Sequence, residues 1–155
     1  MLTEKRIVIT GAGSGIGRAT SILAAGYGAK VVCVDLNESV SSTVDEIKQN
    51  GGTATAVHAD VSDEAAVAEF INQCVAQHGG IDGIYANAGV SGGGKSLTEL
   101  TVEDWQRTLA VNTVGVFLAI KHSVPYCVSQ GRGAIVCTAS VAGRRATAGG
   151  GGYSA

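Results

Sequence analysis

Two hydroxyl groups and one carboxylate stand where this 155-residue chain could do chemistry. Ser140 lies just past the apolar run Ala134–Thr138, and Tyr153 follows 13 residues later, far enough for a loop to return the phenol to the serine's side. A serine there can orient a substrate oxygen by hydrogen bonding, and a phenol can exchange a proton with it. Asp35 ends the run Val31–Val34, 18 positions beyond the last glycine of Thr10-Gly-Ala-Gly-Ser-Gly-Ile-Gly17. Gly11, Gly15 and Gly17 are spaced G-x-x-x-G-x-G, and Ile16 replaces the glycine of the commoner G-x-G-x-x-G. A glycine turn between a buried strand and a helix lets backbone N–H groups approach a pyrophosphate, and the helix N-terminus adds partial positive charge. A carboxylate at the end of the second strand accepts from ribose hydroxyls and repels a 2′-phosphate. Ser14, the residue before Gly15, is not basic and offers nothing to such a phosphate. The set favours NAD over NADP, with Asp35 as a plain cap of the next helix as the alternative.

The elements that must position these groups are legible in the pattern of apolar residues. Ile7–Ile9, Val31–Val34, Ala54–Val57, Ile81–Tyr85 and Ala134–Thr138 are continuous rather than alternating, as in strands buried on both faces of a parallel sheet. Between them, Val40, Val44 and Ile47 repeat at helical spacing, as do Val67, Phe70, Ile71, Cys74 and Val75. Ser62 or Asp63 caps the second of these helices, and Gly51-Gly52 and Gly79-Gly80 supply left-handed stops. A long helix is expected from about Thr101, with Thr101-x-x-Asp104 as its capping pattern. It carries Val102, Trp105, Leu109, Val116 and Ile120 on one side and Pro125 in its last part. The order β-α-β-α-β-α-β-α-β predicts a doubly wound α/β parallel sheet in a single domain, with ligands at the carboxyl ends of the strands.

Composition narrows the classes. A net charge of −2 gives no electrostatic footprint for nucleic acid or an anionic membrane. No run reaches the roughly 18 apolar residues of a membrane span. The cysteines at 33, 74, 127 and 137 form no CxxC pair and suggest no metal site; a reduced, cytoplasmic setting is expected, with Cys33 and Cys137 as small buried residues of strands. Arg144-Arg145 reads as a solvated loop, with a substrate-anion contact as the alternative. Gly89–Ser96 matches G-x-x-x-x-G-K-[ST], the phosphate loop of ATPases. It is disfavoured because the next helical pattern starts only near Thr101, which leaves Lys95 a solvated loop residue.

Taken in order, Thr10–Gly17, Asp35, Asp60-Val61, Asn87-Ala88-Gly89, Asn112, Ser140 and Tyr153-Ser-Ala resemble the short-chain dehydrogenase/reductase family along the whole chain. The resemblance implies a Rossmann sheet that binds NAD(P) and moves hydride between nicotinamide and a small-molecule alcohol or ketone. It implies that Asp60 and Val61 border the adenine, with an ordinary helix-entry Asp as the alternative at 60. Asn87-Ala88-Gly89 would steady the central sheet and pass near the ribose, Ser140 would orient the substrate oxygen, and Tyr153 would be the general acid/base. Asn112, unfavourable inside a helix by propensity, would hold a water in the proton relay; the alternative is a satisfied polar residue. A tyrosine titrates ordinarily at about 10, and a nearby ammonium lowers that value. The family's lysine, four residues after its tyrosine, would sit two residues past Ala155. The fold is accordingly expected to be incomplete at its C-terminal edge, with strand five exposed, and the chain to be part of a longer polypeptide that is a homo-oligomer. A non-catalytic dinucleotide-binding fragment is the competing reading.

Overall fold

A computed structural model describes residues 1–145 and 149–154. Five strands run parallel: β1 (Arg6–Thr10), β2 (Lys30–Asp35), β3 (Thr53–His58), β4 (Gly83–Ala86) and β5 (Ala134–Cys137). Their order is β3-β2-β1-β4-β5, so the chain reverses direction across the sheet between β1 and β4. Helices α1 (Gly15–Gly26), α2 (Ser39–Gln49), α3 (Glu64–His78), α4 (Val102–Leu109) and α5 (Gly115–Ser129) connect them, with a single turn, α6 (Gly151–Ser154), at the end.

The continuous apolar runs are explained by two cores. Val8, Val32, Val34, Ile84 and Ala86 meet α3 and α5 on one face of the sheet. Ile9, Val31, Cys33 and Ala54 meet α1 and α2 on the other. Successive residues of β1 and β2 therefore enter opposite cores, and neither position can be polar. Asp63 caps α3 by accepting from Ala65 N and Ala66 N, while Gly51, Gly79 and Gly80 take positive φ as expected. Gly52 does not; its place is steric, because a Cβ there would lie 2.8 Å from Ile47 Cγ2.

At the amino end of the strands, away from the candidate site, Arg6 clasps Asp82 through Nε (2.6 Å) and Nη2 (3.0 Å). Arg132 Nε adds a bond of 2.9 Å to the same carboxylate. The Arg6 hydrogen bond comes first among the causes that hold the Asp82 carboxyl well below the usual carboxylate range.

Two expectations need correction. The long helix is not continuous: residues 110–114 form a π-turn, in which Gly115 N donates to Ala110 O five residues back. The extra residue rotates the register, so the proposed stripe does not hold. Val102 is exposed, and the buried residues of α5 are Gly115, Leu118, Ala119 and Ser123. Strand β5 is exposed along its length, so Cys137 is exposed where Cys33 is buried. Lys95 is an exposed loop residue as expected, and its Nζ lies 2.5 Å from Asp104 Oδ2.

Candidate active site

The glycine turn folds as a cradle. Gly11 (φ +70°) and Gly15 (φ +51°) occupy the left-handed region that other residues resist. Gly17 is required sterically, because a Cβ there would lie 2.0 Å from the Gly11 carbonyl oxygen. The start of α1 is left electrostatically open. Ser14 precedes it in extended conformation without a side-chain cap bond, and its first turn contains no acidic residue. Ser14, Gly15 and Ile16 are exposed. An uncapped helix N-terminus presents unsatisfied N–H donors together with the positive end of the helix dipole. That donor set fits a pyrophosphate.

Asp35, at the end of β2, is buried and already engaged. Its Oδ2 accepts from Gly13 N (2.8 Å) and its Oδ1 from Asn37 N (2.9 Å). These bonds fix the carboxylate beside the cradle and leave lone pairs for further donors. Sequence reasoning passed over Gly13, yet a Cβ there would fall 2.4 Å from Ser39 Oγ and 3.0 Å from the Asp35 carboxyl carbon. Asp35 does not cap α2: the residue before that helix is Glu38, which makes no side-chain cap bond.

Asp60 forms a local turn, with Oδ1 accepting from Ser62 N (2.8 Å) and Ser62 Oγ (2.7 Å). It is Asp63, not Asp60, that enters the helix as its cap. Val61 is buried against α5, where a Cβ on Gly115 would lie 2.9 Å from Val61 Cγ2. Gly115 is thus a second residue the sequence pattern did not single out.

Thr10 is the third. Its hydroxyl oxygen accepts from both Asn87 N (3.0 Å) and Ala88 N (3.1 Å), and its carbonyl accepts from Asn87 Nδ2 (3.1 Å). The turn Asn87–Gly89 is therefore tied to the residue that starts the glycine cradle. Asn112, in the π-turn, receives Val90 N on Oδ1 (2.8 Å) and donates from Nδ2 to Val90 O (2.9 Å). Its side chain is a satisfied polar group whose partner lies 22 residues away. A Cβ on Gly89 would stand 3.3 Å from Asn112 Oδ1, so a small residue is needed there.

Ser140 Oγ accepts from Ala142 N (3.1 Å) at the head of a 3₁₀ turn, Val141–Gly143. Helix α6 packs on that turn, on α4 and on the Gly92–Gly94 turn. A Cβ on Gly92 would lie 3.6 Å from Tyr153 N, and Tyr153 itself is 37 % exposed. The Ser140 and Tyr153 segments are therefore neighbours, on loops that follow β5. Arg144 and Arg145 are exposed. Ala148 and Ala155, which flank the final glycines and Tyr153-Ser154, lie outside the described residues.

The phosphate-loop reading of Gly89–Ser96 fails on geometry. Ser96 opens no helix: its hydroxyl and N–H bond to Glu99, and α4 begins at Val102. Lys95 is held by Asp104, which also completes the capping box of α4 with Thr101.

The short chain dehydrogenase family model matches residues 5–155. This chain belongs to the short-chain dehydrogenase/reductase family. As a short-chain dehydrogenase/reductase it is 41 % identical over 155 residues to the uncharacterized oxidoreductase YxbG of Bacillus subtilis, a match covering 99 % of this chain and 56 % of that protein. It is 40 % identical over 141 residues to the cyclohexanol dehydrogenase of Acinetobacter sp. strain SE19, covering 90 % and 56 %. The crystal structure of NAD⁺-bound xylitol dehydrogenase superposes with a TM-score of 0.93 at 30 % identity, covering 98 % of this chain and 59 % of that one. Solved relatives include complexes with NAD⁺ and with NADP. The chain spans about half the length of the curated relatives it matches. Among the described residues no helix is long and apolar enough to cross a membrane.

Proposed function

We propose that the whole protein is an NAD-dependent oxidoreductase of secondary alcohols and their ketones. The observation that carries this reading is the uncapped, exposed start of α1 standing beside a buried Asp35 carboxylate fixed by Gly13. The backbone N–H groups of residues 15–17 would hold the pyrophosphate, Asp35 the adenosine ribose hydroxyls, and Asp60 and Val61 the adenine edge. A carboxylate at Asp35 desolvates poorly against a 2′-phosphate and repels it, which favours NAD over NADP. Asn87, Ala88 and Gly89 would line the path toward the nicotinamide, where small residues permit close approach.

The bound cofactor supplies a nicotinamide ring that accepts or returns hydride. Ser140 would hydrogen-bond the substrate oxygen and hold the reacting carbon in place. Tyr153 would take the hydroxyl proton during oxidation and return it during reduction. Asn112 would fix the segment after β4 through Val90 and keep the proton path between α4 and Tyr153 in register. A six-membered-ring alcohol is the first substrate to test, because a relative 40 % identical is named a cyclohexanol dehydrogenase.

The test is NADH formation by the whole protein with cyclohexanol and with acyclic secondary alcohols, NADP run in parallel. NAD-linked turnover supports the reading; turnover with NADP alone contradicts the cofactor assignment. The second reading is a dinucleotide-binding unit without catalysis, for which the cradle and Asp35 alone would suffice. NADH binding by the 155-residue chain without turnover would establish it.

A further inference from the structure

Tyr85 is an aromatic residue near the end of β4, and its ring packs against the core that contains Ile9 and Ala12. Its hydroxyl lies 2.9 Å from Thr138 Oγ1. The same Thr138 oxygen is 2.9 Å from Asn87 Oδ1. The amide oxygen can only accept. Thr138 is the donor in both contacts, so its one proton is shared between the Tyr85 phenol oxygen and Asn87 Oδ1.

The sheet register explains why these groups meet. Tyr85 pairs with Val136 and Ala86 with Cys137, so the next step sets Asn87 beside Thr138 on the same face. From Asn87 the line continues to Thr10 through the bonds of its amide and backbone N–H. Three loops of the site are therefore joined laterally by side chains: the glycine cradle after β1, the Asn87 turn after β4, and the Ser140 turn after β5. β5 is exposed along its length and pairs only with β4 among the described strands.

We propose that Tyr85 and Thr138 are positioning residues that lock the Ser140 turn to the cofactor-facing turn through Asn87. The proposal rests on the site reading above, since it concerns how Ser140 is held relative to the cofactor-binding loops. Tyr85 is the anchor, because its ring is fixed by packing and its phenol oxygen accepts from the Thr138 hydroxyl, which also reaches Asn87 Oδ1. Chained hydrogen bonds of this kind polarise and orient one another. Small misplacements of a substrate-orienting group are costly in rate while leaving cofactor binding nearly intact.

The experiment compares Tyr85→Phe, Thr138→Val and Thr138→Ser in the whole protein, with kcat and KM for NAD, thermal midpoint, and amide exchange at Ala88 and Ala142. A positioning role predicts that kcat falls roughly tenfold in Thr138→Val and about threefold in Tyr85→Phe, with KM for NAD changed less than about twofold. Exchange at Ala142 should quicken in Thr138→Val, and Thr138→Ser should restore most of the lost rate. Unchanged kcat and exchange in both Tyr85→Phe and Thr138→Val overturns the proposal, as does a rate loss that only tracks a lowered thermal midpoint. A wild-type protein that neither binds NADH nor turns over would sink the site reading first and this proposal with it, an outcome recognisable without any variant.

Discussion

Asn112 closes both of its amide hydrogen bonds on one residue, accepting from Val90 N at 2.8 Å and donating to Val90 O at 2.9 Å. A π-turn in the middle of an otherwise α-helical segment brings the amide to that position. Such turns break the helical ladder locally and recur at functional sites. Here the break and the long-range amide clamp belong together, since a regular helix would rotate residue 112 away from the strand-four loop.

Asn112→Ala should therefore act as more than a side-chain deletion. It leaves Val90 N–H and C=O without partners in a part-buried setting, a loss of about 1–3 kcal/mol. Turnover of the whole protein should fall at least roughly tenfold. Denaturant unfolding and steady-state kinetics check both halves; wild-type values in each would remove the clamp from the account.

Cofactor discrimination should reside in Asp35. Asp35→Ser removes the carboxylate that faces the cradle and frees Gly13 N from its acceptor. The ratio of NADPH to NADH affinity should rise by roughly tenfold or more. An unchanged ratio would mean that the carboxylate serves only to hold Gly13.

Gly17→Ala should damage the cradle by steric means alone. The new Cβ would meet the Gly11 carbonyl at 2.0 Å and its carbon at 2.6 Å, both backbone atoms that cannot swing aside. Overpacking of this kind costs about 1–3 kcal/mol. Because the displaced strand end carries the cradle, NADH affinity should drop more than thermal stability does. Gly15→Ala is the contrast: open space surrounds that position, so its penalty comes from the positive φ and not from collision.

The Arg6–Asp82 pair makes a prediction about acid. Arg6 and Arg132 hold the folded Asp82 carboxyl well below its ordinary value of about 3.9. A depressed carboxyl stabilises the fold fully above the unfolded value, and that contribution is lost as pH falls through the folded one. The wild-type thermal midpoint should therefore drop steeply below about pH 4. Asp82→Asn should start lower at neutral pH, since it weakens charge-assisted hydrogen bonds in a part-buried setting at a cost of about 1–3 kcal/mol, and should lose less on further acidification. Parallel acid profiles for the two proteins would contradict the pairing.

What the sequence revealed and what it hid divide along a physical line. Continuous apolar runs marked the strands most plainly in β1 and β2, whose central residues are covered on both faces, and the Thr101–Asp104 box marked the start of α4 because capping is local. Asp35 and the glycine turn were legible for the same reason: their spacing along one strand-turn-helix unit is fixed. The π-turn left no local signal, because what stabilises it is a backbone group 22 residues away. The bonding roles of Thr10, which opens the glycine motif, and of Tyr85 and Thr138 were likewise silent, since each looks like an ordinary strand residue until the parallel register brings these groups together. Gly13 and Gly115 were lost among 23 glycines and are distinguished only by what a Cβ would strike.

The most direct measurement is a fluorescence titration of the whole protein with NADH and, separately, with NADPH. The account predicts saturable NADH binding at least roughly tenfold tighter than NADPH, reversed in preference or levelled by Asp35→Ser. Equal or tighter binding of NADPH by the wild type, or no binding of either, would contradict it.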